Sequence, residues 1–114
     1  MSKIHDLTPV EVAARMKIGG VELIDVREPG EYAAERIHGA LLFPLSGFDP
    51  HALPKNVDII FQCGTGKRSA MAVARCQAAG LKHAAHLAGG LQAWKAEGLP
   101  TIAIDPATGK PREK

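Results

Sequence analysis

Reactive side chains concentrate in one short stretch of this 114-residue chain, Cys63-Gly64-Thr65-Gly66-Lys67-Arg68-Ser69. Two glycines let the backbone curl without side-chain clashes, and successive amides of a curled backbone point inward as an anion-binding nest. A helix beginning near Ser69 adds unpaired N–H groups and the positive end of its dipole. Lys67 and Arg68 add formal charge. Each contribution favours thiolate over thiol at Cys63, lowering its pKa from the free-cysteine value of about 8.5. A thiolate in an anion cradle is a nucleophile matched to anionic substrates. The plainer alternative is a small apolar cysteine ending a strand ahead of a Gly-rich turn; it accounts for neither the two cations nor the helix that follows. A nucleotide-phosphate loop is disfavoured, because G-x-x-x-x-G-K-[ST] is absent and Arg68 stands where Ser or Thr must follow the lysine.

The elements around this stretch alternate. Val57 to Gln62 is a strand rich in β-branched residues that runs straight into Cys63, and Ser69 to Ala79 is a strong helix former closed by Gly80. Upstream, Thr8-Pro9-Val10-Glu11 opens a helix as a capping box with Pro at the first helical position, and Gly19-Gly20 stops it. Val21 to Val26 is a buried strand, Glu31 to Arg36 a short helix, and Ala40 to Phe43 a second short strand. Residues 46–56 form a connection with at most one helical turn. Downstream come a strand over 83–87, a helix from Leu91 to Glu97 and a last apolar piece from Thr101 to Ile104. This alternation predicts an α/β domain with a mainly parallel sheet and helices on both faces. Ligands in such sheets sit at the carboxyl ends of strands, and Cys63 is at such an end.

Four motifs, in order, extend the reading across the chain. Cys63-x-x-Gly66-x-Arg68-Ser69 resembles the active-site loop of rhodanese domains. Asp25-Val26-Arg27-Glu28 with Glu31-Tyr32 is similar to that family's first signature, and Gly39-Ala40 and Pro44 to the segment after it. His86-Leu87-x-Gly89-Gly90-x-x-x-Trp94-x-x-x-Gly98-Leu99-Pro100 is similar to its closing motif. Glu35-Arg36-Ile37-His38-Gly39-Ala40 departs from the family's frequent Gly-His-Ile-Pro-Gly-Ala in a turn that leads into a strand. The resemblance implies a three-layer rhodanese-like domain over 1–104, leaving 105–114 as a mobile polar tail. It also implies a sulfurtransferase. Cys63 takes the sulfane sulfur of thiosulfate or a similar small anionic donor, with 3-mercaptopyruvate as the alternative sulfur source, and passes it from a persulfide to a thiol, cyanide or protein acceptor. Gly64, Thr65, Gly66 and Ser69 then belong to the substrate loop, with Lys67 and Arg68 steering and binding the donor. No metal or organic cofactor is implied. Related phosphatases resemble C-x5-R, whereas Arg68 here is five positions after Cys63, a loop with room for one sulfur atom. A different class of function stays open, a persulfide relay or sulfur-sensing module acting on a protein partner.

Composition bounds the rest. The chain has the length of a single domain. A formal charge of +2 and 4% aromatic residues argue against a nucleic-acid partner. The charge is uneven, −2 over residues 1–57 and +4 over 58–114, placing the excess of cations in the half that holds Cys63. No apolar run approaches the roughly 20 residues of a membrane helix. The N-terminus lacks the apolar run of a secretory signal, so a cytoplasmic location is expected. Two cysteines make no disulfide scaffold; Cys76, in an Ala-rich helix, is expected to be inert packing. The five histidines show no ligand cluster, and His83 and His86 are expected on opposite faces of one strand. Asp25 with Arg27 reads as a structural ion pair, Trp94 as core, Gly89-Gly90 as a helix start near the site mouth, and Glu22, Glu28 and Glu31 as solvated surface.

Overall fold

The computed structural model describes residues 4–105 and 107–113. Its centre is a five-stranded parallel sheet built from β1 (His5–Leu7), β2 (Val21–Asp25), β4 (Leu41–Leu42), β5 (Asp58–Gln62) and β6 (Ala85–Leu87), in the order β1-β6-β5-β2-β4. The most buried strands, β2 and β5, lie side by side in the middle, with Ile24 opposite Phe61 and Asp25 opposite Gln62.

Alternation along these strands divides the core between the two faces. Ile24, Val26, Ile59 and Phe61 point to one side, where Ala72, Val73 and Cys76 of helix α3 (Lys67–Ala78) cover them together with Leu45 and Leu53. Leu23, Ile60 and Leu87 point to the other, against Val12 of α1 (Pro9–Ile18) and Leu91 and Trp94 of α4 (Gly90–Ala96). The expected α/β architecture is therefore present, and the expected capping box is also in place. Thr8 Oγ1 accepts from the Glu11 amide at 3.2 Å, and Glu11 Oε1 from the Thr8 amide at 2.9 Å, satisfying two otherwise unpaired donors.

Several local expectations change. The extended piece β1 was not anticipated, because three residues with one apolar side chain carry no periodicity. Helix α2 spans Pro29–Ala34, and the last two residues of the segment expected to be helical, Glu35–Arg36, are a strand, β3. Residues 46–56 contribute to two short 3-10 turns, Leu45–Gly47 and Pro50–Ala52. Helix α3 begins at Lys67, so Lys67 and Arg68 belong to its first turn. His83 lies outside β6, so it and His86 are not on one strand. The polar segment read as a mobile tail holds a strand, β8 (Pro111–Glu113). It pairs antiparallel with β7 (Ile102–Ile104), and β7 pairs with β3 to complete a small second sheet. A turn closed by the Asp105 amide on the Lys110 carbonyl (2.8 Å) brings β8 back. Its stability comes from backbone pairing along an open edge, which a hydrophobic pattern does not report.

Candidate active site

Strand β5 ends at Gln62 and delivers Cys63 into the loop ahead of α3. Left-handed backbone at Gly66 (φ 103°) turns the chain back, so that amides behind it face the sulfur. The Gly66 N–H lies 3.0 Å and the Ser69 N–H 3.3 Å from Cys63 Sγ, with the Ser69 hydroxyl oxygen at 3.6 Å. Burial of this side chain pushes the thiol pKa up. The Ser69 amide and hydroxyl and the Gly66 and Thr65 amides more than offset it, and the net shift is downward from the ordinary cysteine value. The sequence-predicted nest is thus assembled from backbone donors.

The carbonyls of the loop are held facing the other way. Cys63 O accepts from the Leu91 amide at 2.8 Å and from Gln62 Nε2 at 2.7 Å, while Gly64 O accepts from the Gln92 amide at 3.1 Å. Helix α4 therefore docks its first turn on the outside of the loop. The approach is so close that a Cβ at Gly90 would overlap the carbonyl groups of Cys63 and Gly64. The Gly64–Thr65 peptide, held by its carbonyl, carries the Thr65 amide that helps lower the Cys63 thiol, so α4 braces this part of the nest without touching the sulfur.

The cations divide. Arg68 makes a bidentate pair with Glu31 of α2, at 2.6 and 3.0 Å, which holds the Glu31 carboxyl down at about 2 and raises the guanidinium further. Lys67 is exposed and has no ion-pair partner among the described residues. Behind α2, buried Arg27 binds Asp25 through Nη2 (2.8 Å) and the Glu35 carbonyl (2.7 Å). This pair anchors the segment carrying Glu31. Breaking a buried pair of this kind costs about 3–5 kcal/mol.

A family model for the rhodanese-like domain matches residues 8–97. The chain belongs to the rhodanese-like domain family. It is 36% identical over 85 residues to a sulfurtransferase of Allochromatium vinosum, covering 73% of this chain and 79% of that protein. It is 42% identical over 84 residues to an uncharacterized Synechocystis protein, covering 72% of this chain but only 47% of that protein's length. The solution structure of the rhodanese-like domain of an Anabaena protein superposes with a TM-score of 0.78 at 28% identity, covering 96% of this chain and 89% of that one.

Within this rhodanese-like frame, the residues expected at the site separate by position. Cys63 is buried at the bottom of the loop, Gly66 and Ser69 contact its sulfur, and Thr65 and Lys67 are exposed at the rim. Gly64 borders an open recess of about 290 Å3 that is also lined by Leu91, Gln92 and Lys95. Cys76 lies on the buried face of α3, in the core, and burial pushes its thiol up to about 11. Sequence reasoning missed three participants. Glu31 is the partner of Arg68, and His86 and Asp6 continue from Ser69 toward the surface: Ser69 Oγ is 2.8 Å from His86 Nδ1, and His86 Nε2 is 2.7 Å from Asp6 Oδ1. Glu31 follows Pro29-Gly30 in the first turn of α2, a position inside the Glu31-Tyr32 motif whose sequence context reads as surface. Nothing in the sequence signals the partnership of Asp6 and His86.

Proposed function

We propose that the protein is a sulfurtransferase that carries sulfane sulfur as a Cys63 persulfide, with thiosulfate as donor. The observation that carries this reading is the convergence of the Gly66 and Ser69 amides on Cys63 Sγ within a loop sized for one added atom. In the first step the Cys63 thiolate attacks the outer sulfur of thiosulfate. A Cys63 Sγ–S bond forms, the S–S bond of thiosulfate breaks, and sulfite leaves with the electron pair. Charge is conserved, one negative charge remaining on the persulfide. The inward amides stabilise that charge as they stabilise the thiolate, in an environment where fixed dipoles are worth more than in water. An acceptor thiolate or cyanide then attacks the outer sulfur and returns the Cys63 thiolate.

Exposed Lys67 is the cation suited to steer a dianionic donor, whereas Arg68, matched by Glu31, braces the loop. The recess beside Gly64 suits an acceptor with an organic body, a small thiol or a cysteine of a protein. The test is intact-mass analysis after incubation with thiosulfate, followed by peptide mapping. One added sulfur on Cys63, released by a thiol or by cyanide, supports the reading; an unmodified Cys63 with a titratable thiol refutes it.

A further inference from the structure

Cys63 Sγ is the inner end of a chain of side chains that crosses three elements. Its neighbour Ser69 Oγ (3.6 Å) belongs to α3, His86 belongs to β6 and Asp6 to β1. Parallel pairing sets Asp6 directly beside His86 in register, so the carboxylate meets the ring edge without a long side chain. His86 is buried at 6% exposure, whereas the Asp6 side chain is 69% exposed. The chain thus leads from the buried sulfur to solvent.

Hydrogen-bond polarity gives this arrangement a chemical consequence. The Asp6 carboxylate only accepts, so Nε2 carries a proton. With a neutral ring, Nδ1 is an acceptor. Ser69 donates its single hydroxyl proton to Nδ1, and Ser69 Oγ faces the sulfur as an acceptor, a match for the thiol. With a protonated ring, Nδ1–H donates to Ser69 Oγ, and the hydroxyl proton turns to the sulfur, a match for the thiolate. The Gly66 carbonyl, 3.2 Å from Ser69 Oγ, also accepts from the Ala70 amide, so its demand on the hydroxyl is partly met. Reversing every bond in the chain therefore exchanges thiol plus imidazole for thiolate plus imidazolium.

We propose that Ser69, His86 and Asp6 form a proton relay for Cys63. In one direction the S–H proton passes to Ser69 Oγ while the Ser69 hydroxyl proton passes to His86 Nδ1; the imidazolium is held by the Asp6 carboxylate. No proton is lost and no electron moves. The reverse direction re-protonates the idle sulfur. His86 and Asp6 act through Ser69 and are positioning residues. Asp6 is the charged side chain bonded to the ring among the described residues. From β5 the ring's strand partner is Phe61, and of the cations on the first turn of α3, Arg68 is turned to Glu31. Lys67 on that turn is exposed.

The proposal rests on Cys63 being the nucleophile, and its test needs no sulfur donor. The rate of Cys63 alkylation by iodoacetamide is measured against pH by peptide mapping. The wild-type profile is expected to rise in two steps with a plateau between, because the thiolate–imidazolium pair and the thiol–imidazole pair share one protonation count. His86→Asn keeps an acceptor toward Ser69 but takes up no proton. It should leave a single step, with alkylation at neutral pH slower by roughly tenfold, the effect of one pKa unit on a minor thiolate fraction. Asp6→Asn should lower the plateau. A single step in the wild type, or a two-step profile retained by folded His86→Asn, overturns the relay. A second measurement covers a variant that does not fold. The NMR titration of the His86 ring should move in Cys63→Ser, and an unmoved titration overturns the coupling. Absent sulfur loading with an intact two-step profile would refute the sulfurtransferase reading and leave the relay standing.

Discussion

Replacing Gly90 with Ala tests whether α4 shapes the reactive loop. The new Cβ would overlap the Cys63 and Gly64 carbonyls, so loop and helix must separate. Separation loses the bonds from the Leu91 amide to Cys63 O and from the Gln92 amide to Gly64 O, each worth about 1 kcal/mol net. The left-handed backbone at this position (φ 61°) adds strain of about 1–2 kcal/mol for any residue with a Cβ. The total is about 3–4 kcal/mol, a loss that a domain of ordinary stability, about 5–15 kcal/mol, survives. Gly98 is the control, since its backbone is also left-handed (φ 75°) and a Cβ there meets nothing within 4 Å. Gly98→Ala should therefore cost the strain alone. Urea unfolding of both variants isolates the contact contribution as their difference, about 2 kcal/mol. Cys63 alkylation should slow in Gly90→Ala and stay at the wild-type rate in Gly98→Ala. Equal destabilisation of the two variants, or unchanged Cys63 reactivity in Gly90→Ala, would refute the role given to α4.

Glu31→Gln should cost about 1 kcal/mol of stability. The shift from 4.5 to about 2 would by itself imply about three times that, but the side chain is 42% exposed and solvent screens the pair. Because the folded pKa is depressed, the contribution is complete above the unfolded value near 4.5 and is lost as pH falls toward 2, so wild type and variant should converge in acid unfolding curves. Freeing Arg68 in the same variant should lower KM for thiosulfate by roughly fivefold, about 1 kcal/mol for one more unit charge near the mouth in high dielectric. Lys67→Ala should raise KM for thiosulfate by a similar factor at low salt, and the difference should fade near ~1 M salt, where screening reaches about 3 Å; a salt-independent difference would exclude steering. Cys76→Ala should leave sulfur loading intact and cost about 1 kcal/mol of buried packing. Mapping of alkylated wild type at neutral pH should find label on Cys63 alone, as the thiol held at about 11 predicts for Cys76.

What the sequence disclosed follows from the range over which its signals act. The Thr8–Glu11 capping box, the aliphatic runs Val21–Val26 and Val57–Gln62, and the curled glycines after Cys63 are set by neighbours a few positions apart. Each appears in the structure where the pattern put it. The strands β1, β3 and β8 were not legible, because these mostly polar pieces carry no apolar run of their own and owe their extension to the partner strand. The same cause moved the end of α2, where Glu35 leaves the helix to pair with Ala103.

The site divides along the same line, and that bears on which of its parts govern reactivity. The nucleophile and its amide donors lie within six positions of one another, so they were legible as a unit. The groups that set the charge state around that unit are distant in sequence. Glu31 and Arg68 are 37 positions apart, and Asp6 and His86 are 80 apart, brought together only by the order in which parallel strands pair. The local motif is thus sufficient to make an anion cradle, but not to decide how much positive charge remains at its mouth or where the sulfur's proton goes. Two chains with an identical Cys63–Ser69 stretch would differ in reactivity if β1 or α2 presented other side chains. The loop specifies the kind of chemistry and lowers the Cys63 thiol through its own amides and the Ser69 hydroxyl, while its distant partners set the charge left at its mouth.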